Sequence, residues 1–111
     1  MEETSGSIEI RVRATTQCNA LAGSVVAAYS TGKRVVLSAI GPLPVTTAVK
    51  AVSIANRTLA PRGVMLGLIP ALVTRSLPDQ HEPASAERPW VVTLLTLVNL
   101  LDRPPLTAEP T

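Results

Sequence analysis

The chain holds one cysteine and one histidine, Cys18 and His81, and these are its only conventional candidates for nucleophile or general base. Cys18 lies just before or inside the first turn of a helix, a place where reactive thiols occur, but no histidine or second cysteine is near in sequence to activate it. It reads as an incidental small residue. His81 stands in a proline-rich stretch with Asp79 and Glu82, and a single imidazole offers too few ligands for a metal centre. With one residue of each type, Cys/His zinc sites and a Ser-His-Asp triad are all but excluded. Gly41-Pro42-Leu43-Pro44 cannot cradle a phosphate, because prolines lack the amides such a site uses. The expectation is a non-catalytic protein with no metal, no cofactor and no small-molecule substrate.

The other chemistry on offer is charge. Between residues 8 and 75 stand Arg11, Arg13, Lys33, Arg34, Lys50, Arg57, Arg62 and Arg75 against Glu9 alone, a net of +7. The first seven residues carry −2 and residues 76–111 carry −3. A basic centre between acidic ends suggests an anionic partner. Three groups are candidate phosphate contacts: Arg11 with Arg13, Lys33 with Arg34, and Lys50 with Arg57, the last pair seven residues apart on one helical stripe. Such groups neutralise phosphates without reading sequence. The alternative for each is a solvated face or an intersubunit ion pair. Aromatic residues are limited to Tyr29 and Trp90, so base stacking on an aromatic platform is not expected.

The elements that position these groups follow from periodicity. Ile8 to Ala14 alternates as a half-buried strand, with Ile8, Ile10, Val12 and Ala14 inward and Glu9, Arg11 and Arg13 outward. From about Thr16 to Ser30, Leu21, Val25, Ala28 and Tyr29 recur at helical spacing, with Thr16 or Asn19 as cap and Gly32 as terminator. Gly23 inside that run suggests close packing. Arg34 to Ile40 reads as a buried strand. A second helix begins with Pro44 in its first position and ends at Pro61. It places Val45, Val49, Val52 and Leu59 near one face. Val64 to Pro70 and Trp90 to Val98 are two further strands, and residues 74–89 between them form a long surface loop. Residues 1–7 and 102–111 have the composition of disordered segments. A single cysteine, no signal-like start and no apolar run of about 20 residues point to a cytoplasmic protein.

The order β-α-β-α-β-β describes one α/β two-layer sandwich over residues 8–101, with both helices on one face of a four-stranded mixed sheet. The other face then has no helical cover. Yet the fourth strand is apolar on both parities: Trp90, Val92, Leu94 and Val98 on one, Val91, Leu95 and Leu97 on the other. The third strand repeats the pattern. Met65, Ile69, Val91, Leu95 and Leu97 are therefore expected at a homo-oligomer interface, unless the long loop or the C-terminal tail folds back over them.

The stretch A-I-G-x-x-x-V-x-x-A-V-K-A-V-x-I-A-x-x-x-L-A-P-x-G-V from Ala39 to Val64, followed by Ile69-Pro70-Ala71, resembles the stage V sporulation protein S family. Upstream, Thr15-Thr16 and Asn19-x-Leu21-Ala22-Gly23 resemble that family's T-T/S-S and N-S-V-A-G element. The resemblance spans about Ile8 to Leu97. It implies an Alba-like fold, similar to the C-terminal domain of translation initiation factor three, with sheet order 1-2-4-3. It also implies nucleic-acid binding (DNA or RNA), homo-oligomer formation and a regulatory role in bacterial sporulation or development, with no catalytic residues. A structural self-assembling protein that binds no nucleic acid is the rival reading. Two departures stand out. Where the family reads G-A-G-A-V-N-Q, this chain has G-P-L-P-V-T-T over Gly41–Thr47. And where archaeal Alba proteins carry a basic DNA-gripping hairpin, the corresponding segment here holds Arg75 and Arg88 against Asp79, Glu82 and Glu87, a net of −1.

Overall fold

A computed structural model describes residues 6–78 and 87–101. Along the chain it forms β1 (Ser7–Val12), α1 (Cys18–Tyr29), β2 (Arg34–Ala39), α2 (Pro42–Leu59), a 3-10 turn (Ala60–Arg62), β3 (Leu66–Pro78) and β4 (Glu87–Asn99). The four strands make one sheet in the order β1-β2-β4-β3, with β1 and β2 parallel and β4 antiparallel to both neighbours. The expected β-α-β-α-β-β sandwich and its strand order are what is found.

Register assigns every strand residue to a face. Opposite partners share a side, so Ile10, Leu37, Leu95 and Pro70 form one row and Glu9, Val36, Thr96 and Ile69 the next. The first row belongs to the side the helices cover. There Val12, Val35, Leu37, Ala39, Leu66, Leu95 and Leu97 pack against Leu21 and Val25 of α1 and Val52 and Leu59 of α2. In place of phenylalanine, α2 contributes Ala48, Ala51 and Ala55, all at 0% exposure, and these small side chains let the helix lie close to the sheet. Gly32 and Gly63, at φ of 84° and 81°, supply the left-handed residues that end α1 and the 3-10 turn.

Several local expectations are corrected. Ala14 is exposed in a turn rather than facing the core. Gln17, without a side-chain bond, occupies the N-cap of α1. The Thr16 hydroxyl instead accepts from the Arg13 N–H at 2.8 Å and closes that turn. Gly23 is exposed and has open space where a Cβ would stand, so it is no close-packing site. α2 starts at Pro42 rather than Pro44, both prolines falling in the first turn where a missing N–H costs nothing. Val49 is 46% exposed, and the buried stripe runs instead through Thr47, Ala48, Ala51, Val52 and Ala55. Leu95 and Leu97, expected at an interface, are 4% and 5% exposed and sit beneath the helices. They belong to the protomer's own core.

The largest correction concerns the expected loop at 74–89. β3 and β4 are each 13 residues long, and their register runs unbroken from Leu66↔Asn99 to Pro78↔Glu87. Both ends of the supposed loop are strand, and residues 79–86 lie outside the described residues. β2 pairs only with Thr93–Thr96 of β4, so the hairpin continues beyond the sheet body as a two-stranded arm. Its prolines are tolerated for a geometric reason. The Leu66 N–H and C=O both point away from β4, to the Asn56 side chain. Even-numbered residues of β3 therefore occupy non-hydrogen-bonded pairs, and Pro70, Pro78 and Pro89 (opposite Ser76) all fall in such pairs.

Candidate nucleic-acid interface

The cations reach the surface from four places. β1 turns Arg11 onto the uncovered face, and the Thr16-closed turn holds Arg13 exposed just beyond the strand. α1 ends at Tyr29, and the Thr31 and Gly32 turn that follows delivers Lys33 and Arg34, both exposed, to the opposite end of the sheet. The Lys33 N–H donates to the Thr31 hydroxyl at 3.3 Å. On α2, Lys50 and Arg57 share an outward stripe with Thr46 and Ser53, about 10 Å apart along the axis at 1.5 Å per residue. α2 runs toward the Lys33 end, where Arg62 follows in the 3-10 turn.

At that end an open cleft of about 490 Å³ is lined by Tyr29, Ser30, Gly32, Lys33, Leu59, Arg62 and Val64. It brings Lys33 together with Arg62, which the sequence marks only as a turn residue between Pro61 and Gly63. Lys50, Arg57, Arg62 and Lys33 thus form a series along the helical layer and its end. Arg11 and Arg13 are not part of it. Arg34, though adjacent to Lys33, pairs in register with Ser7 and so belongs to the uncovered face with Arg11.

The one acid between residues 8 and 75 lies on the uncovered face and is engaged there. The Glu9 carboxylate accepts hydrogen bonds from Nη1 and Nη2 of Arg75, at 2.7 and 3.1 Å. Those hydrogen bonds hold the Glu9 carboxyl below its usual range, helped by the Ser38 hydroxyl and the charges of Arg75 and Arg11, and opposed by partial burial. The same bond raises the Arg75 pKa. Among the described residues, Arg11, Arg13, Lys33, Arg34, Lys50, Arg57 and Arg62 have no ion-pair partner. Among the described residues these seven cations, spread over the helical layer and the uncovered sheet face, lack an ion-pair partner, and the one acid between residues 8 and 75 is held by Arg75.

The two candidate nucleophiles fare differently. Cys18 is half-buried at the start of α1, its thiol turned to the Thr47 carbonyl at 3.9 Å, in contact with α2. His81, with Asp79 and Glu82, lies outside the described residues. Among the described residues, no three His, Cys, Asp or Glu side chains come together. Among the described residues, no helix is long and apolar enough to cross a membrane. Of the expected interface residues, Met65, Ile69 and Val91 are 37%, 54% and 59% exposed.

Comparison with known proteins bears on both fold and family. The model of the family described as Stage V sporulation protein S matches residues 8–86, which is most of the chain. Among solved structures, Alba from Thermoplasma volcanium superposes with a TM-score of 0.56 at 16% identity, covering 82% of this chain and 99% of that one. At that identity the likeness is one of fold. No curated protein matches.

Proposed function

Since the chain belongs to the stage V sporulation protein S family, we propose that it is a non-catalytic regulator of bacterial development that binds nucleic acid from the cytoplasm, weakly and without strong sequence preference. One observation carries this reading: among the described residues, seven cations have no ion-pair partner, and the one acid between residues 8 and 75 is held by Arg75. The series Lys50, Arg57, Arg62 and Lys33 is the surface that supports it best. Point charges on flexible stems neutralise phosphates whatever the base sequence. Binding to mixed duplex DNA, single-stranded DNA and RNA across a salt series tests it, and absence of retention on all three at low salt rejects it.

Self-association is the second part of the proposal. Leu72 and Val91 are 71% and 59% exposed and are diagonal neighbours on one side of the hairpin arm. Two such arms facing each other would bury this apolar pair, and twofold closure is the commonest arrangement. If self-association is present and nucleic-acid binding is absent, the chain is instead a self-assembling structural protein.

A further inference from the structure

The sheet face without helices is not fully open. Ser38 and Val92 both lie on it by register, yet they are 4% and 3% exposed. The arm is asymmetric in the same sense. On the side that continues the uncovered face, Val73, Arg75, Leu77 and Trp90 are half-buried and Val92 is buried. On the reverse side, Leu72, Thr74, Ser76, Pro89 and Val91 are all exposed. A ribbon projecting straight into water would expose both sides alike. One side of this ribbon is covered, and it is the side that faces back toward the sheet.

The Glu9–Arg75 contact says what it covers. β1 and β3 are the opposite edges of the sheet, with β2 and β4 between them. Glu9 sits in the row of Thr96, whereas Arg75 sits in the row of Trp90, six residues further along β4. In a flat sheet their backbones would be about 14 Å apart across the strands and about 20 Å along them, from spacings of about 4.8 and 3.3 Å. No arginine–glutamate pair spans that distance. The observed separation of 2.7 Å requires the arm to curl across the uncovered face until its arginine meets the far edge strand.

We propose that the β3–β4 hairpin is a strap, held shut over the uncovered sheet face by the bidentate Glu9–Arg75 pair, and that parting this pair lifts the arm. Lifting uncovers the strip around Ser38 and Val92 and frees the Arg75 guanidinium. The pair suits such a role. Its fork geometry fixes where the arm lands, while side chains 39% and 41% exposed keep it accessible to water, salt and competing anions. The proposal stands independently of nucleic-acid binding, and its test contains none.

Trp90, the chain's one tryptophan, pairs directly across from Arg75 and so reports the arm without a label. Full-length Glu9→Gln, Arg75→Gln and the double variant are compared with wild type by Trp90 emission, acrylamide quenching and amide hydrogen exchange. Far-UV circular dichroism and the urea midpoint confirm that each variant is folded. Each single variant is expected to shift emission to the red, raise the quenching constant and speed exchange in the arm. The double variant is expected to match either single, since both changes break the same bidentate pair. Wild-type quenching and exchange in either single variant overturns the proposal, because contacts other than this pair then hold the arm. Additive effects in the double variant overturn it as well.

Discussion

Asn56 offers a direct test of how the base of the arm is fixed to the helical layer. Its side-chain amide donates to the Leu66 carbonyl at 3.1 Å and accepts the Leu66 N–H at 2.8 Å, so one side chain of α2 imitates a neighbouring strand. Leu66 opens the edge strand β3 and is itself 4% exposed. Asn56→Ala removes both bonds and leaves a buried N–H and C=O without partners. Each unsatisfied group costs about 1–3 kcal/mol, and some water entry at the sheet edge softens the sum, so the expected loss is about 2–4 kcal/mol. That is a large share of the 5–15 kcal/mol typical of a whole domain. Urea unfolding followed by circular dichroism reads it as a lower midpoint with an unchanged m-value. A loss below about 0.5 kcal/mol, the scale of an ordinary surface change, refutes the idea that these two bonds anchor the strand.

Two further outcomes follow from the arm. Because the Arg75 bond lowers the Glu9 pKa in the folded state, the pair's contribution is complete above the unfolded value of 4.5 and is lost as pH falls through the lower folded value. Trp90 emission should therefore shift to the red on acidification below pH 4.5 in wild type, with Arg75 and Arg11 the charges facing Glu9, and the step should be missing in Glu9→Gln. Sedimentation equilibrium at low micromolar concentration should give more than one chain mass for wild type and one chain mass for Leu72→Arg with Val91→Arg. A single-chain mass for wild type sinks the self-association reading.

Local periodicity made the sandwich legible. The alternation of Ile8, Ile10 and Val12, the helical spacing of Leu21 and Val25, and the Gly32 stop each correspond to a real boundary or face. The arm was illegible because its composition imitates a loop. Pro70, Pro78 and Pro89 argue against strand unless their register is known, and register depends on a partner strand that sequence does not identify. For the same reason the parity of β4 pointed to Leu95 and Leu97 as surface, although Leu37 opposite Leu95 places that row under the helices. The Glu9–Arg75 pair joins residues 66 positions apart through a curl of the hairpin, and no local pattern announces it. Arg62 was hidden by its role as a turn residue. It meets Lys33 only in the folded chain, in the cleft that Tyr29 and Leu59 also line.

The salt dependence of duplex binding tests the central claim most directly. If Lys50, Arg57, Arg62 and Lys33 each neutralise one phosphate, the slope of log K against log salt is about −3.6, and affinity falls about 150-fold between 50 and 200 mM. Lys50→Ala with Arg57→Ala should halve that slope to about −1.8, leaving a fall of about 12-fold, with the same change on unrelated sequences. A wild-type slope near zero, or a double variant whose slope equals that of wild type, contradicts the assignment of this surface to nucleic acid.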